Sequence, residues 1–281
     1  MGDSLPKLFA RWLSGAFRKK LGSGIGAPLL NALTTLDLRI RDNAVNFYAA
    51  DTSVLRVADK RIRVHRKFLE GCDLAGATKK DYVELPFDAA TVERLLPQLP
   101  SIVRNAGQYA GKEGLHEDAL VKANLGEGAV VMLDRQIQKP GDAMQSRLDI
   151  VAVTAPPSPM LVAIELKQGL DPRIQDVPKQ LHRYVEMLDP EGTGLSKEFA
   201  RAYATACLQL VALRRPAPPP GLIKAGMPVR GLLVLADYNP KSELLSRARE
   251  CARGLARPLF FLETVDCQRP LPPPSEWKLL A

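Results

Sequence analysis

Three ionisable residues interrupt two otherwise apolar stretches in the middle of the chain. Asp149 lies in the run Leu148 to Val153, whereas Glu165 lies in the run Met160 to Leu166 and Lys167 directly follows it. Burying a carboxylate without a partner is costly, so these residues require an explanation. Two adjacent carboxylates raise each other's pKa unless a divalent cation lies between them, and Mg²⁺ prefers such hard oxygen ligands. A lysine beside that cation can hold an attacking water or stabilise charge that develops on a phosphate.

The two apolar runs predict the strands of a buried hairpin. They are rich in Val and Ile and are separated by the proline-rich segment Thr154 to Pro159. Because strand side chains alternate between faces, Glu165 and Lys167 share one side. Two alternatives stay open: Glu165 and Lys167 could be a solvated pair on an edge strand, and Asp149 could pair with Arg147 or cap a turn.

The spacing of these residues resembles a known nuclease core. Asp149, fifteen intervening residues and then Glu165-Leu166-Lys167 are similar to the core of the PD-(D/E)XK, or restriction-endonuclease-like, superfamily. Leu148 stands where the superfamily's name has proline. The resemblance covers roughly residues 112 to 265, and the triplet gains specificity from its setting between strand signals.

Two further elements add to the resemblance. Gln180 and Tyr184 in KQLHRYVEML resemble the Gln-x-x-x-Tyr helix motif of the RecB-like branch, and Glu117 in GLHEDAL resembles a glutamate that some members supply from the preceding helix. The alternatives are a helix surface with Tyr184 packed on the sheet, and a solvated helix face that carries Glu113 and Glu117.

The resemblance implies a Mg²⁺- or Mn²⁺-dependent nuclease, a hydrolase that cleaves phosphodiester bonds of nucleic acid and above all of DNA. It implies that Asp149 and Glu165 bind the metal with the Leu166 carbonyl, and that Lys167 positions the water or stabilises the transition state. Glu117 would bind the metal or a water beside it. Gln180 and Tyr184 would orient the substrate backbone.

The implied fold is α/β (α+β), a restriction-endonuclease-like core with a central mixed β-sheet flanked by helices, plus an N-terminal β-rich appendage. We expect a basic amphipathic segment at 1–30, a hairpin-rich subdomain at 31–100, the core at 101–268 and a proline-rich, extended tail at 269–281. The pattern predicts helices over Lys112 to Leu125, from Pro178 and over Lys197 to Leu213. It predicts core strands at Ala129 to Gln138, with a turn at residues 139–142, and at Gly231 to Ala236 and Leu259 to Leu262, which flank a helix at Ser242 to Gly254.

The N-terminal part of the chain has its own patterns. An amphipathic helix that docks on the body is predicted by apolar residues at helical spacing, which are Leu5, Leu8, Phe9, Trp12, Leu13 and Phe17. The alternatives are a membrane-surface anchor and, more weakly, a transit peptide. Glycines and Pro28 predict a linker from Gly22 to Leu30. Strands are expected at residues 46–48, 53–57 and 61–65, and a helix that begins at Asp88 and ends by Pro97.

The last of these hairpins carries basic residues on one face, while Ile62 and Val64 share the other face. The functional interpretation is a β-ribbon that meets nucleic-acid phosphates; the alternative is a sheet with one solvated face. The residues expected to contact nucleic acid are Arg56, Lys60, Arg61, Arg63, Arg66 and Lys67.

Composition limits the kinds of partner and compartment that the sequence favours. The chain of 281 residues has a formal charge of +8, which favours polyanionic partners without specifying one. It has no apolar run of eighteen residues, so no membrane span is expected. Its four cysteines are scattered, without zinc spacing, which is typical of a reducing cytoplasm. The sequence leaves open a homodimer or larger assembly.

Two other functional classes compete with a nuclease. A catalytically inactive nuclease fold could serve only as a nucleic-acid-binding or assembly protein, because fold does not fix function. A different α/β enzyme is disfavoured, since the sequence has no nucleophile elbow or glycine-rich phosphate loop. Metal dependence separates an enzyme from a binder, whose affinity should depend mainly on salt.

Overall fold

The computed structural model describes residues 10–74, 80–138, 147–263 and 265–280. These residues form two compact units. The N-terminal unit comprises the described part of Phe9–Asp118 together with Leu208–Pro216, and the C-terminal unit comprises the described parts of Ala119–Cys207 and Ala217–Ala281. Each unit contains one sheet and several helices, which confirms the mixed α/β composition. The units divide within a helix near residue 118, whereas the sequence placed a domain boundary after residue 100.

The N-terminal unit is built on a five-stranded antiparallel sheet whose strands follow one another in chain order. The strands are β1 (Asp37–Arg41), β2 (Ala44–Ala49), β3 (Thr52–Ala58), β4 (Arg61–His65) and β5 (Tyr82–Pro86). The helices are α1 (Gly15–Gly22), α2 (Ala27–Ala32), α3 (Ala89–Leu95), α4 (Leu99–Gln108) and α5 (Lys112–Ala123), of which α5 continues into the C-terminal unit.

Local chemistry explains several of these elements. In β4, Ile62 and Val64 are buried while Arg61 and Arg63 are exposed, which confirms the predicted alternation. The predicted helix after Asp88 is confirmed as α3, where the Asp88 carboxylate accepts a hydrogen bond from the Thr91 amide at 2.8 Å.

Two predictions for the N-terminal region need correction. The linker expected from Gly22 to Leu30 is wrong, because this stretch contains most of α2, which buries Leu29 and Leu30. The amphipathic helix begins only at Gly15, where the Ser14 hydroxyl caps it, although Phe17 is buried as expected. Leu5, Leu8, Phe9 and the predicted turn at 139–142 lie outside the described residues.

The C-terminal unit is built on a six-stranded mixed sheet in the order β11-β10-β9-β8-β7-β6. Its strands are β6 (Val130–Gln138), β7 (Arg147–Thr154), β8 (Leu161–Gln168), β9 (Val229–Ala236), β10 (Leu259–Leu262) and β11 (Lys278–Leu279). Strands β6, β7 and β8 form an antiparallel meander, β8, β9 and β10 are parallel, and β11 is antiparallel to β10. The helices are α6 (Val177–Leu188), α7 (Lys197–Ala212), which ends in the N-terminal unit, and α8 (Leu244–Ala252).

The tail is only partly extended. A short 3₁₀ turn at Pro274–Glu276 precedes β11, so the expectation of an extended tail needs that correction.

Both faces of this sheet are covered. On one face, Ile150, Ile164 and Leu232 belong to a buried cluster that also contains Leu120 of α5 and Trp277 of the tail. Helix α6 packs on the opposite face, against β8 and β9. The approach is close at Gly231, where an added Cβ would lie 3.4 Å from the Leu181 Cβ of α6.

No helix within the described ranges is long and apolar enough to cross a membrane.

Candidate active site

The site forms where the β7–β8 ladder ends. Ile150 pairs with Ile164, so Asp149 and Glu165 occupy the next opposing positions. At that point the Asp149 Oδ2 accepts a hydrogen bond from the Leu166 amide at 2.8 Å. Because opposing residues of an antiparallel pair project to the same face, both carboxylates lie on the face that α6 covers.

Lys167 joins the two carboxylates. Its Nζ lies 3.5 Å from the Glu165 Oε2 and 3.7 Å from the Asp149 Oδ2, and it donates a hydrogen bond to the Leu166 carbonyl at 2.8 Å. The side chain of Glu165 is 1% exposed and that of Lys167 is 6% exposed. The structure therefore brings together the three residues that the spacing singled out. A solvated edge pair does not describe them, because β8 lies between β7 and β9.

Helix α6 supplies the next side chain. The Gln180 Nε2 donates a hydrogen bond to the Glu165 Oε1 at 2.8 Å and lies 3.5 Å from the Arg147 carbonyl. The helix begins at Val177 with Pro178 in its first turn, and this start places Gln180 above the end of β8. Tyr184, one turn later, is 3% exposed. Gln180 thus belongs to the site directly, and Tyr184 lies buried on the same helix.

The surroundings of Glu165 disfavour the charged form of its carboxyl group. Burial raises the pKa of Glu165 well above its usual value, and the nearby Asp149 charge and a hydrogen bond with the Asp149 side chain raise it further. Lys167 acts in the opposite direction and does not reverse the shift. The raised pKa favours the protonated form of Glu165, and a bound cation would compete with that proton.

The oxygen donors suit a hard divalent cation. Two carboxylates and the Leu166 carbonyl offer the ligand type that Mg²⁺ and Mn²⁺ prefer, and Mg²⁺ commonly binds through one or two carboxylates and keeps several waters. No three His, Cys, Asp or Glu residues in the described part of the chain form a group that could hold a metal. Glu117 belongs to the N-terminal unit, where it is 4% exposed on α5, and it joins no such group.

Strand β6 places two residues that the sequence analysis missed beside this site. Arg135 pairs with Ile150 and Ile137 pairs with Leu148, so Gln136 lies opposite Asp149. Gln136 has a φ of 54°, a left-handed conformation that is uncommon for a residue with a Cβ. Its near neighbour Asp134 is 2% exposed and lies opposite Val151, on the same face as Asp149. A charged residue inside the apolar run of β6 was the signal that could have found Asp134.

The predicted basic ribbon lies in the N-terminal unit on β3, β4 and the turn that follows. The Arg63 guanidinium lies 4.1 Å from the Tyr82 ring centroid, and the Lys67 Nζ lies 5.4 Å from the Tyr109 ring centroid. Both tyrosines are exposed, at 42% and 51%. Cations beside exposed aromatic rings can contact both the phosphates and the bases of a nucleic acid.

The other ribbon residues differ in how available they are. Arg61 pairs with Glu84 at 3.2 Å, whereas Lys60, Arg66 and Lys67 are exposed. Arg56 is half-buried, and burial followed by the neighbouring Arg41 charge lowers its pKa. Lys60 just before β4, and Arg66 and Lys67 just after it, are therefore the stronger candidates for phosphate contact.

Comparison of the chain with protein families, curated proteins and solved structures finds no match.

Proposed function

We propose that this chain is a metal-dependent nuclease that hydrolyses phosphodiester bonds of nucleic acid, with DNA as its main substrate. The proposal is carried by one observation: a buried Glu165 beside Asp149, with the Lys167 ammonium within 3.7 Å of both carboxylates. Burying such a set is weak as a device for stability, since apolar residues of similar volume do as well or better. A site that binds a cation and a phosphate gives these charges a use.

The residues have distinct roles in this proposal. Asp149, Glu165 and the Leu166 carbonyl would hold Mg²⁺ or Mn²⁺, which when bound polarises a phosphoryl oxygen. Gln180 fixes one Glu165 oxygen through its hydrogen bond and so leaves the other for the site. Lys167 holds a positive charge beside the reacting phosphate, where it can orient the attacking water and stabilise the charge of the transition state.

The rest of the molecule is compatible with this role. The mixed sheet supports a restriction-endonuclease-like core, in which the meander β6–β8 carries the acids and α6 follows. The formal charge of +8 and the basic ribbon favour a polyanionic substrate. Four free thiols suit a reducing compartment such as the cytoplasm.

The test is cleavage of labelled single- and double-stranded DNA and RNA by the full chain in Mg²⁺, Mn²⁺ or EDTA. Wild type should cleave at least one substrate only with metal, and Glu165→Ala and Lys167→Ala should each lose that activity. The matched control is Glu93→Ala with Lys241→Ala, which removes one exposed acid and one exposed base elsewhere.

Folded wild-type protein that cleaves no substrate, yet binds nucleic acid with an affinity that depends on salt and not on metal, would overturn the proposal. That result would favour the catalytically inactive binding protein instead.

A further inference from the structure

A second group of positive charges lies in the N-terminal unit, in a cleft between α1, α2 and the turn after α7. The cleft has a volume of about 760 Å³. Its charged residues are Arg18 and Lys19 of α1 and Arg214 and Arg215 of the turn, and Asn31 and Thr34 add polar groups to its wall. None of these residues belongs to the basic ribbon or to the candidate active site.

The charges of Arg18, Lys19 and Arg214 are not neutralised within the described residues, whereas the buried Arg215 has the Asp37 charge nearby. No acidic side chain of the described ranges lines the cleft. Arg18, Lys19 and Arg214 are exposed, and none of them has a salt-bridge partner in the described part of the chain. Like charges that face one space repel each other, so this arrangement has a cost unless an anion enters.

The two arginines of the turn each have an unusual local structure. The Arg215 guanidinium is 8% exposed and donates hydrogen bonds to the carbonyls of Leu30 at 2.7 Å and Leu33 at 3.1 Å, which ties the turn to α2. Arg214 has a φ of 57°, at the end of a helix where glycine or asparagine is the usual residue. A residue with a Cβ is disfavoured in that conformation, so arginine occupies this position against its backbone preference.

The lining also indicates which anion fits. Among the residues that the structure describes, no aromatic side chain on which a base could stack lines the cleft, whereas its cations and polar groups suit phosphate oxygens. We propose that this cleft binds the phosphodiester backbone of a nucleic acid and reads no sequence. The inference deepens the proposed function and rests on it for the identity of the polyanion.

The experiment measures binding without cleavage. The full chain in EDTA is titrated into fluorescently labelled single- and double-stranded DNA at several salt concentrations, as wild type and as Arg18→Ala with Lys19→Ala. The double variant should lose about tenfold or more in affinity at low salt. For duplex DNA, the slope of log K against log salt should become less steep by about two. The matched control, Arg94→Ala with Lys112→Ala, removes the same charges from exposed positions of this unit and should keep the wild-type slope.

A charge-preserving variant separates charge from folding. Arg18→Lys with Lys19→Arg should bind as wild type does, and circular dichroism should show all variants folded. Equal losses in the cleft variant and the control would overturn the inference, as would binding to phosphatidylserine vesicles in place of DNA. Failure of the proposed function gives a different result: wild type would then cleave no substrate, while DNA binding that depends on Arg18 and Lys19 would remain.

Discussion

At the residue scale, the protonation of Glu165 links the site to the stability of the fold. Its folded-state pKa is raised, first by burial and then by Asp149, above an unfolded value of about 4.3. The folded state therefore binds the proton more tightly. The resulting stabilisation is fully present below the unfolded pKa and is lost as pH rises through the folded pKa.

We expect Glu165→Gln to remove the loss of stability that wild type shows as pH rises, because the amide cannot ionise. In EDTA, the free energy of unfolding of the variant should exceed that of wild type at about pH 8, and the difference should shrink towards about pH 4. Urea unfolding across this range measures it, with the exposed Glu93→Gln as the control. A variant that is less stable than wild type by the same amount at every pH would contradict the assignment.

Lys167 should contribute to the reaction far more than to binding. Removing one group that stabilises transition-state charge commonly costs about 10²–10³-fold in rate. Lys167→Ala should therefore reduce kcat by about that factor, with little change in DNA affinity measured in EDTA. A variant that loses affinity and keeps kcat would show that Lys167 serves substrate binding instead.

At the element scale, the core around Gly231 of β9 leaves little room for a larger residue. A Cβ at Gly231 would lie 2.6 Å from the Leu259 Cδ2 and 3.4 Å from the Leu181 Cβ of α6. The Leu259 side chain would have to shift within the buried core, whereas the 3.4 Å distance to Leu181 is close to an ordinary contact and leaves α6 and Gln180 near their positions.

We expect Gly231→Ala to lower stability, while the cleavage activity of the folded protein stays close to that of wild type. Overpacking of this kind costs about 1–3 kcal/mol, and each kcal/mol corresponds to about 2–4 °C in Tm for a chain of this size. Differential scanning fluorimetry and the cleavage assay measure the two effects. Gly254→Ala is the control, because no atom lies within 4 Å of its added Cβ. Equal Tm values for the two variants would contradict the packing argument.

Elements with one strong local signal could be predicted from the sequence. The hairpin β7–β8 and the start of α6 were predictable because β-branched runs, a proline-rich break and Pro178 determine them locally. Gln136 could not be assigned, because its position opposite Asp149 depends on a shift in register between Met132 and Asp134 that leaves no sequence signal.

Other elements were missed because packing overrides composition. Strand β1 carries Asp37 and Arg39, which look like surface residues, yet they form a buried ion pair at 2.9 Å. Pro97 predicted the end of a helix, and α3 ends at Leu95, but α4 was not expected. Pro100 lies in the first turn of α4, where its missing N–H costs nothing.

At the scale of the whole molecule, the units are interleaved in sequence. The residues that follow Cys207 in α7 return to the N-terminal unit, which pattern reading along the chain cannot detect. The meeting of Asp149, Glu165 and Lys167 was predictable because all three lie within two adjacent strands. The basic cleft was not, because residues near 18 and 214 meet only in the folded protein.

The four cysteines give a prediction at the same scale. Cys72, Cys207 and Cys267 are buried and Cys251 is half-buried, and burial raises the pKa of the Cys267 thiol to about 11. Iodoacetamide should therefore modify Cys251 first in the native protein and all four in denaturant, and a reductant should not change Tm. Peptide mass spectrometry reads the order of labelling, and a native disulfide or rapid labelling of Cys267 would contradict it.

Binding of Mn²⁺ tests the central claim most directly, because the ion is paramagnetic and its free form can be counted in an EPR titration. Wild type should bind Mn²⁺ at this site, Asp149→Asn and Glu165→Gln should each lose that binding, and Glu186→Gln, an exposed change on α6, should keep it. Binding that survives in both active-site variants, or no binding by folded wild-type protein, would contradict a metal centre at Asp149 and Glu165.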